Sequence, residues 1–379
     1  MIADIHEMSP QLSIPLFKVF MAQSAHDALK SVIESGHLAA ADRVAEFENR
    51  LAAWLGAPDA VAISDASGAL TLALLMAGVR PGDEVIASPL ACSASLMPVA
   101  NLFAKPVWCD IDPFTGMPSA ADIAARISPA TRAILLYHWS GDVAEVGEIM
   151  ALARKHGIKL IADASEALGA EWHGCRMWRE TDFTVYSFYA TKPVTTGEGG
   201  LLLAPEKKVT DAARRLRRYG IDQKRIRLAN GDLNPAFDIP LAGFNFAMNE
   251  IAATLGIENL GHADRLLARQ RANGDYYQVA LDGVAGLHLL ERRNDRKSVY
   301  WTYTLRAERR HDLIRKLHAC GIGAQRLHLR NDAYSCFGGV AAELPGVALF
   351  DEQNLCIPCG WWVGDVEREQ IADCIREGW

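Results

Sequence analysis

The sequence lacks any apolar run long enough to cross a bilayer, and no block of like charges stands out. No apolar stretch of the 379 residues approaches the ~18 residues that a membrane-spanning helix needs. Acidic residues outnumber basic ones, 46 to 39, for a formal net charge of −7. We therefore expect no binding to nucleic acid and none to a membrane.

A secretion signal and paired cysteine motifs are also missing. The first twenty residues, MIADIHEMSPQLSIPLFKVF, carry acids and no basic, apolar signal core. Of eight scattered cysteines, only Cys356 and Cys359 form a CxxC, in LCIPCGWW. Two interpretations of this motif stay open, a zinc site and a pair of reduced thiols. The lack of a second CxxC or of nearby histidines favours reduced thiols. We expect a cytoplasmic protein without a metal.

Strand-like and helix-like patterns alternate from residue 60 to about 205. Short apolar segments such as AVAIS, EVIAS, RAILLY, KLIADA and FTVYSF are separated by amphipathic ones. This alternation predicts an α/β fold with a mainly parallel sheet covered by helices on both faces. A long irregular stretch, 221–246, precedes long helices and a second, smaller alternation. We predict a large domain over 1–255 and a small C-terminal α/β domain over 256–379.

Three features stand at predicted strand ends, where open parallel sheets bind ligands. They are Asp163 in IKLIADA, Lys192 after FTVYSF, and the turn SDASGA after AVAIS. Taken one at a time, Asp163 is explained by a helix cap, Lys192 by a solvated charge, and SDASGA by a tight turn. Together they fit pyridoxal 5′-phosphate, which needs an amine for a Schiff base and a carboxylate beside its ring nitrogen. Ser67 at a helix start and Ser187 would supply hydroxyls to its phosphate.

Segments spread over nearly the whole chain resemble the DegT–DnrJ–StrS family of sugar aminotransferases. The matching segments include SDASGALTLAL, PGDEVIASP, IADASEALGA, DFTVYSFYATK, GEGG and GFNFAMNEIAATLG. The S-F-x-x-x-K segment of the family is matched by Ser187 through Lys192. The resemblance implies the fold type I of pyridoxal-phosphate enzymes, with a mainly parallel seven-stranded sheet and a smaller C-terminal α/β domain.

The resemblance also implies roles for residues around the cofactor ring. Lys192 would form the Schiff base and shuttle protons, and Asp163 would pair with the pyridine nitrogen. Glu166 stands where the family often has a glutamine near the 3′-oxygen of the cofactor. Members usually stack an aromatic ring on the cofactor from the loop after GDEVI, but this loop is SPLACSAS. Cys92 in that loop lies near the cofactor face or is a buried structural cysteine, and both alternatives stay open.

Further roles follow from the resemblance at the phosphate and at the subunit interface. Ala66, Ser67 and Ser187 would contact the cofactor phosphate. Asn245 in GFNF would reach the phosphate of the partner subunit's cofactor, so the resemblance implies a homodimer with shared active sites. Six residues are expected on the substrate side, although a surface histidine or arginine is the ordinary alternative for any one of them: His138, Trp139, Arg326, His328, Arg330 and Asn331.

The expected reaction is transfer of an amino group from glutamate, as in the family, to a keto-sugar. We expect that sugar to be nucleotide-linked and the product to enter amino-sugar biosynthesis. Three alternatives stay open: an aminotransferase of a cyclitol or other carbocyclic ketone, a pyridoxamine-dependent sugar dehydratase, and a non-catalytic regulator. In the dehydratases a histidine replaces the lysine, so Lys192 favours transamination, and its retention with Asp163 and Ser187 counts against a regulator.

Overall fold

The computed structural model describes residues 12–340 and 342–379, so most of the segment inspected for a secretion signal lies outside it. No helix in these two ranges is both long enough and hydrophobic enough to span a membrane. The helices, in chain order, are α1 Ala25–Ser35, α2 Asp42–Leu55, α3 Ala66–Met76, α4 Ser93–Asn101, α5 Ala120–Ala124, α6 Val146–His156, α7 Lys207–Leu216, α8 Glu250–Leu260, α9 Ala263–Ala280, α10 Arg310–Ala319, α11 Pro345–Gln353 and α12 Asp365–Arg376.

Strands from both halves of the chain build three sheets. In chain order the strands are β1 Val61–Ile63, β2 Glu84–Ala87, β3 Lys105–Trp108, β4 Thr131–Tyr137, β5 Lys159–Asp163, β6 Glu171–Trp172, β7 Cys175–Arg176, β8 Phe183–Ser187, β9 Gly200–Leu203, β10 Leu287–Leu289, β11 Arg296–Lys297, β12 Tyr303–Ala307 and β13 Asn354–Ile357.

The largest sheet has seven strands in the order β1-β9-β8-β5-β4-β2-β3. Strands β3, β2, β4, β5 and β8 are mutually parallel, and only β9 runs against its neighbours β8 and β1. Every residue of β8 and β9 is buried, as expected for strands covered on both faces. The predicted α/β fold with a mainly parallel seven-stranded sheet is confirmed.

Because β1, β4, β5 and β8 share one direction, their carboxyl ends meet at one edge of the sheet. Tyr137 at the end of β4 is paired in register with Asp163 at the end of β5. β8 ends beside them at Ser187, and β1 leads directly into the turn before α3. The sheet therefore gathers the three strand-end features of the sequence at a single edge.

The smaller, three-stranded sheet of β10, β12 and β13 has a hydrophobic core of its own. Its strands are antiparallel, and α10 and α12 pack against them through Leu313 and Ile371. We call β10, β12 and β13 with α10 and α12 the small unit. The boundary expected at residue 255 falls inside α8, whose outer residues contact α1 and α2, and that division stays a prediction.

The irregular stretch 221–246 contains no helix and no strand, only two residues in an internal isolated bridge, Arg227 and Leu233, and Asn245 in a bridge to Arg218. Most of its residues are exposed, including the apolar side chains of Leu228, Leu233 and Ile239. A segment of this length with so little burial of its own is unusual in a compact protein.

The N-terminus of α2 is capped from a distant helix. Its N-cap residue, Ala41, has no side-chain acceptor, so the first N–H groups of the helix need another partner. Glu250 in α8 supplies it: Oε1 accepts from the N–H groups of Ala41 and Val44 at 2.9 and 3.0 Å, and Oε2 accepts from that of Arg43 at 2.9 Å. The carboxylate is buried and joins two helices that are far apart in sequence.

We predict that Glu250→Gln lowers the free energy of unfolding by about 1–3 kcal/mol, because the amide offers one acceptor oxygen where the carboxylate offers two. Urea unfolding at a fixed protein concentration measures the change. Glu34→Gln, the same charge change at an exposed position of α1, is the control and should stay within about 0.5 kcal/mol of the parent. Equal losses from both variants would contradict the capping role.

Candidate active site

A cavity of about 380 Å³ opens at the carboxyl edge of the large sheet. Residues from the strand ends line it on one side, and Trp301, Gln325 and His328 line it on the other. Six of the eight residues expected at the cofactor lie on its wall, whereas Asp163 and Asn245 do not: Ala66, Ser67, Cys92, Glu166, Ser187 and Lys192. The structure thus brings most of the expected cofactor residues together in one place.

Lys192 is a buried amine, with 8% of the residue exposed. Its Nζ lies 3.4 Å from the centre of the Trp301 ring, and the Trp301 indole N–H donates to the carbonyl of Thr191 at 3.2 Å. Burial lowers the pKa of the Lys192 amine, against the opposing charges of Glu166 and Asp163. A lysine in this setting is uncharged over a wider pH range than an exposed one and can act as a nucleophile or base.

Asp163 is a fully buried carboxylate with one unused oxygen. Its Oδ1 accepts from the N–H of Ser165 at 3.0 Å, whereas Oδ2 has no partner among the described residues. Burial raises the pKa of Asp163, and the neighbouring Ser165 and Ser95 only partly offset it. An unsatisfied buried carboxylate oxygen is costly, so this site favours a cationic or N–H donor opposite Oδ2.

The start of α3 supplies N–H groups at the cavity wall. Asp65 is the N-cap and accepts from the N–H of Gly68 at 2.7 Å, and the first N–H groups of a helix have no partner within it. β9 approaches this turn closely: a side chain at Gly200 would place its Cβ 2.8 Å from the N of Ala66. Ser67 and Ala66 therefore lie at a helix N-terminus, a favourable position for an anion.

Glu166 belongs to a buried hydrogen-bonded group with Tyr137 and His328. His328 Nε2 is 3.2 Å from Glu166 Oε1 and 3.0 Å from the hydroxyl of Tyr137. The N–H of Ser140 donates to Glu166 Oε2 at 2.7 Å. Burial raises the pKa of Glu166, but the His328 hydrogen bond and the charge of Lys192 outweigh it and leave that pKa below its ordinary value.

Cys92 sits at the N-cap position of α4, on the cavity wall rather than in the closed interior. Burial, with the charges of Glu166 and Asp163, raises the pKa of its thiol. The thiol is therefore protonated at neutral pH. Of the two alternatives for Cys92 the structure favours the one near the cofactor, and a contact with the cofactor stays a prediction.

Sequence patterns missed the aromatic side of the cavity. Trp301 packs on Phe17 with ring centres 5.0 Å apart, and both line the cavity. Tyr137, also on the wall, is the last residue of β4, whose carboxyl end lies at the site. Its position at a strand end could have identified it from the sequence. Trp301 carried no such signal, because only the folding of residues near β12 onto the large sheet brings it to Lys192.

Two residues expected on the substrate side are packed in the interior instead. His138 is fully buried, and its Nδ1 accepts from the N–H of Ala144 at 3.2 Å, while burial lowers its pKa to about 3. The indole N–H of Trp139 donates to Thr304 at 3.2 Å. Neither lines the cavity, because the chain turns away from the sheet edge after Tyr137.

Of the four remaining substrate-side candidates, only His328 reaches the cavity. Arg326 pairs with Asp351 at 3.1 Å, because side chains alternate along the extended segment that carries Gln325 and Leu327 to the wall. Arg330 pairs with Asp332 at 2.6 Å. Asn331 is buried and donates to the carbonyls of Pro89 and Ala91, so it holds the loop before Cys92.

Asn245 is exposed and does not line the cavity of its own chain. It forms an isolated bridge with Arg218, and the next residue, Phe246, accepts from the N–H of Ser64 at 2.7 Å. This places Asn245 beside the turn between β1 and α3, at the surface of the chain.

The CxxC cysteines are both buried and engage other groups. Cys356 Sγ lies 3.2 Å from the hydroxyl of Thr304, and Cys359 Sγ donates to the carbonyl of Gln270 at 3.3 Å. Across residues 12–340 and 342–379, no cluster of three or more histidine, cysteine or acidic side chains is arranged to bind a metal ion.

Comparison with known proteins identifies the family. Residues 20–376 match the DegT/DnrJ/EryC1/StrS aminotransferase family. The chain belongs to this family. It is therefore an enzyme, an aminotransferase, and the resemblance expected from the strand-end motifs is confirmed over almost the full length.

Relatives of the aminotransferase include named sugar enzymes. It is 35% identical to the GDP-perosamine synthase of Caulobacter vibrioides over 289 residues, 74% of each chain. It is 29% identical to the dTDP-3-amino-3,4,6-trideoxy-alpha-D-glucose transaminase of Streptomyces venezuelae over 358 residues, 92% of this chain and 90% of the relative. The crystal structure of the sugar aminotransferase CalS13 from Micromonospora echinospora superposes with a TM-score of 0.91 at 33% identity, covering 97% of this chain and all of that one.

We predict that reductive methylation of the aminotransferase with formaldehyde, and cyanoborohydride as the hydride donor, modifies Lys192 before Lys208 at neutral pH. The lowered pKa of Lys192 leaves more of its amine uncharged at a given pH, whereas a hydrogen bond to Glu206 raises the pKa of the exposed Lys208. Peptide mass spectrometry over time gives the order, with the cofactor removed beforehand. Modification of Lys208 first would show that the amine of Lys192 is charged or inaccessible.

Proposed function

We propose that this aminotransferase uses pyridoxal 5′-phosphate to move an amino group from glutamate to a nucleotide-linked keto-sugar in amino-sugar biosynthesis. The observation that carries the proposal is a pair of buried groups at one edge of the sheet: Lys192 lines the cavity, and Asp163 ends β5 in register with the wall residue Tyr137. Lys192 is an amine with a lowered pKa, and Asp163 is a carboxylate with an unused oxygen. Few ligands other than this cofactor need both groups at once.

The residues present suit the cofactor. Asp163 Oδ2 would accept from the ring nitrogen, and the cation opposite would lower the pKa that burial now raises. Ala66 and Ser67 at the start of α3, with the hydroxyl of Ser187, would hold the phosphate. When bound, the cofactor supplies an electron sink for the charge left on the substrate carbon as a proton departs.

Lys192 is the group that moves the proton. Its Nζ takes up the proton that leaves the substrate carbon in the first half-reaction and returns one in the second. Burial keeps the amine uncharged often enough to be ready for a proton, and the charges of Glu166 and Asp163 keep it basic enough to accept one. Trp301 covers Nζ from one side and separates it from bulk water.

Glu166, Tyr137 and His328 hold the wall opposite the phosphate-binding turn. Glu166 is fixed at both oxygens, by Ser140 and by His328, so its position does not depend on a substrate. His328 is the one substrate-side candidate on the cavity, and we propose that it contacts the substrate. Cys92 and Glu166 would lie beside the cofactor ring.

Support for a sugar substrate comes from the relatives. Two of them are named for amino-sugars carried on GDP and dTDP, and the match to each spans most of both chains. Glutamate as the donor rests on the family resemblance. The presence of Lys192 favours transamination over the dehydratase alternative, in which the lysine is a histidine. Cytoplasmic location stays a prediction.

We also propose a homodimer with shared active sites. The stretch 221–246 exposes apolar side chains, among them Leu228, Leu233 and Leu241, that a partner surface would cover. Asn245 ends this stretch, exposed and next to the turn that begins α3. We propose that from there it reaches the cofactor phosphate of the neighbouring subunit.

The proposed function predicts a spectroscopic half-reaction. The enzyme loaded with the amine form of the cofactor is mixed with a panel of nucleotide-linked 3-keto and 4-keto sugars and with a carbocyclic ketone. Return of the absorbance of the aldehyde form, and formation of an amino-sugar, is expected for a nucleotide-linked sugar. A response to the carbocyclic ketone alone would favour the cyclitol alternative. If no compound of the panel restored the absorbance, the proposed function would be wrong.

Two variants serve as controls in this half-reaction. Lys192→Ala should still bind cofactor non-covalently but show no turnover, because no other amine on the cavity wall can move the proton. Asp163→Asn should lose far more turnover than cofactor binding, since an amide hydrogen-bonds the ring nitrogen without keeping it protonated. Near-parental rates in either variant would remove that residue from the mechanism.

The shared site predicts complementation between two impaired proteins. Asn245→Ala alone should weaken cofactor retention, by ~1–3 kcal/mol for a lost hydrogen bond to a charged group. In a mixed dimer of Lys192→Ala and Asn245→Ala subunits, one site carries both changes and the other carries neither. The activity of the mixed dimer should therefore exceed the mean activity of the two variant homodimers and approach half the activity of the unmodified dimer. Activity equal to the mean, or an active monomer in sedimentation, would rule out sharing.

A further inference from the structure

Two cysteine thiols meet on the small unit, outside the catalytic cavity. Cys320 is the C-cap of α10 and Cys374 lies in α12, the helix packed beside it. Their Sγ atoms are 2.9 Å apart, and both thiols are free. A disulfide bond is about 2.05 Å long, so closing the pair needs a sulfur displacement of less than about 1 Å.

The two thiols differ in access. Cys320 is exposed, whereas only 5% of Cys374 is. Burial, and next the contact with Cys320, raise the pKa of the Cys374 thiol to about 12. Because Cys320 is the exposed thiol, it starts an exchange with a small disulfide, and the covered Cys374 completes it.

A surface groove gives small molecules access to the pair. It has a volume of about 690 Å³, and both cysteines line it together with residues of α12. Both cysteines therefore border the same groove, although Cys374 is mostly buried. Because Cys320 is exposed, a low-molecular-weight disulfide can reach it from solvent.

We propose that Cys320 and Cys374 are a redox-active dithiol that closes to an intramolecular disulfide, with a low-molecular-weight disulfide as the oxidant. The Cys320 thiolate attacks one sulfur of the small disulfide, forms a mixed disulfide and releases one small thiol. Cys374 then gives its proton to water, and its sulfur attacks Cys320 Sγ and releases the second small thiol. Two protein thiols are oxidised and one small disulfide is reduced to two thiols, so no other reagent is needed.

The bond would tie the end of α10 to α12. The segment that follows Cys320 runs through Ile322, in the core of the small unit, to Gln325 and His328 on the cavity wall. A disulfide at its start restricts the unfolded chain and steadies the beginning of this segment. Closing the pair should therefore raise the melting temperature, and reduction should reverse the change.

The test treats the purified, cofactor-loaded protein with cystamine and maps the cysteines by non-reducing proteolysis and mass spectrometry. We expect a peptide that links Cys320 to Cys374, lighter than the two reduced peptides by two hydrogen atoms, with a raised melting temperature that dithiothreitol restores. Cys175 and Cys336 are internal controls, since both are exposed and neither has a cysteine beside it in the described residues. They should stop at the mixed disulfide with cystamine.

Single variants separate the two roles. Cys374→Ser should leave a stable mixed disulfide on Cys320, and Cys374→Ala repeats the test without a hydroxyl in the buried position. In Cys320→Ser the buried Cys374 should react roughly tenfold or more slowly than Cys175, because the thiolate is scarce and covered. A stable mixed disulfide on Cys320 of the unmodified protein, or equal rates at Cys374 and Cys175 in Cys320→Ser, would overturn the proposal.

Discussion

The burial of one amine, Lys192, beside two buried carboxylates is the constraint on which the site depends. Three charges in a low-dielectric region are costly unless each has a partner. Glu166 has its partners within the protein, from Ser140 and His328, and its pKa is below the ordinary value. Asp163 has only one oxygen satisfied, and its pKa is raised. The pKa values of the two carboxylates are thus shifted in opposite directions. The carboxylate with the unsatisfied oxygen, Asp163, leaves a place for a ligand.

This arrangement needs both parts of the chain. Ser140, which holds Glu166, has an unusual positive φ of 54° and bonds to Thr302 through its hydroxyl at 2.7 Å. The N–H of Trp301 donates to the carbonyl of Ser140 at 3.1 Å, and Trp301 then covers Lys192. A non-glycine residue in this backbone region is strained by about 1–3 kcal/mol and persists only where its surroundings determine it. Here the surroundings are the segment just before β12, which carries Thr302, and the carboxylate of Glu166.

The small unit therefore contributes to the site without being part of the large sheet. Its core is separate, yet residues leading to it and from it, Trp301 and His328, form one wall of the cavity. Asn331 works at longer range, because its amide holds the loop before Cys92 from the opposite side of the cavity. Changes in the small unit can reach the chemistry through these contacts.

The strand ends and their polar residues could be predicted from the sequence alone. Continuous apolar segments predicted the parallel sheet, and such a sheet places Asp163, Lys192 and the turn at Ser67 on one edge. These inferences succeeded because each depends on local pattern and on the direction of one strand. The family, too, follows from motifs of this kind.

The other wall was decided only by tertiary structure. His138 and Trp139 follow a strand end directly, as functional residues do, yet the turn after Tyr137 directs them into the interior. Trp301 and the Cys320–Cys374 contact join residues more than fifty positions from their partners, and no local pattern marks such pairs. Their positions depend on how the small unit packs on the large sheet and on how its own helices pack together. Such packing is set by long-range burial of apolar surface, which strand and helix periodicity does not specify.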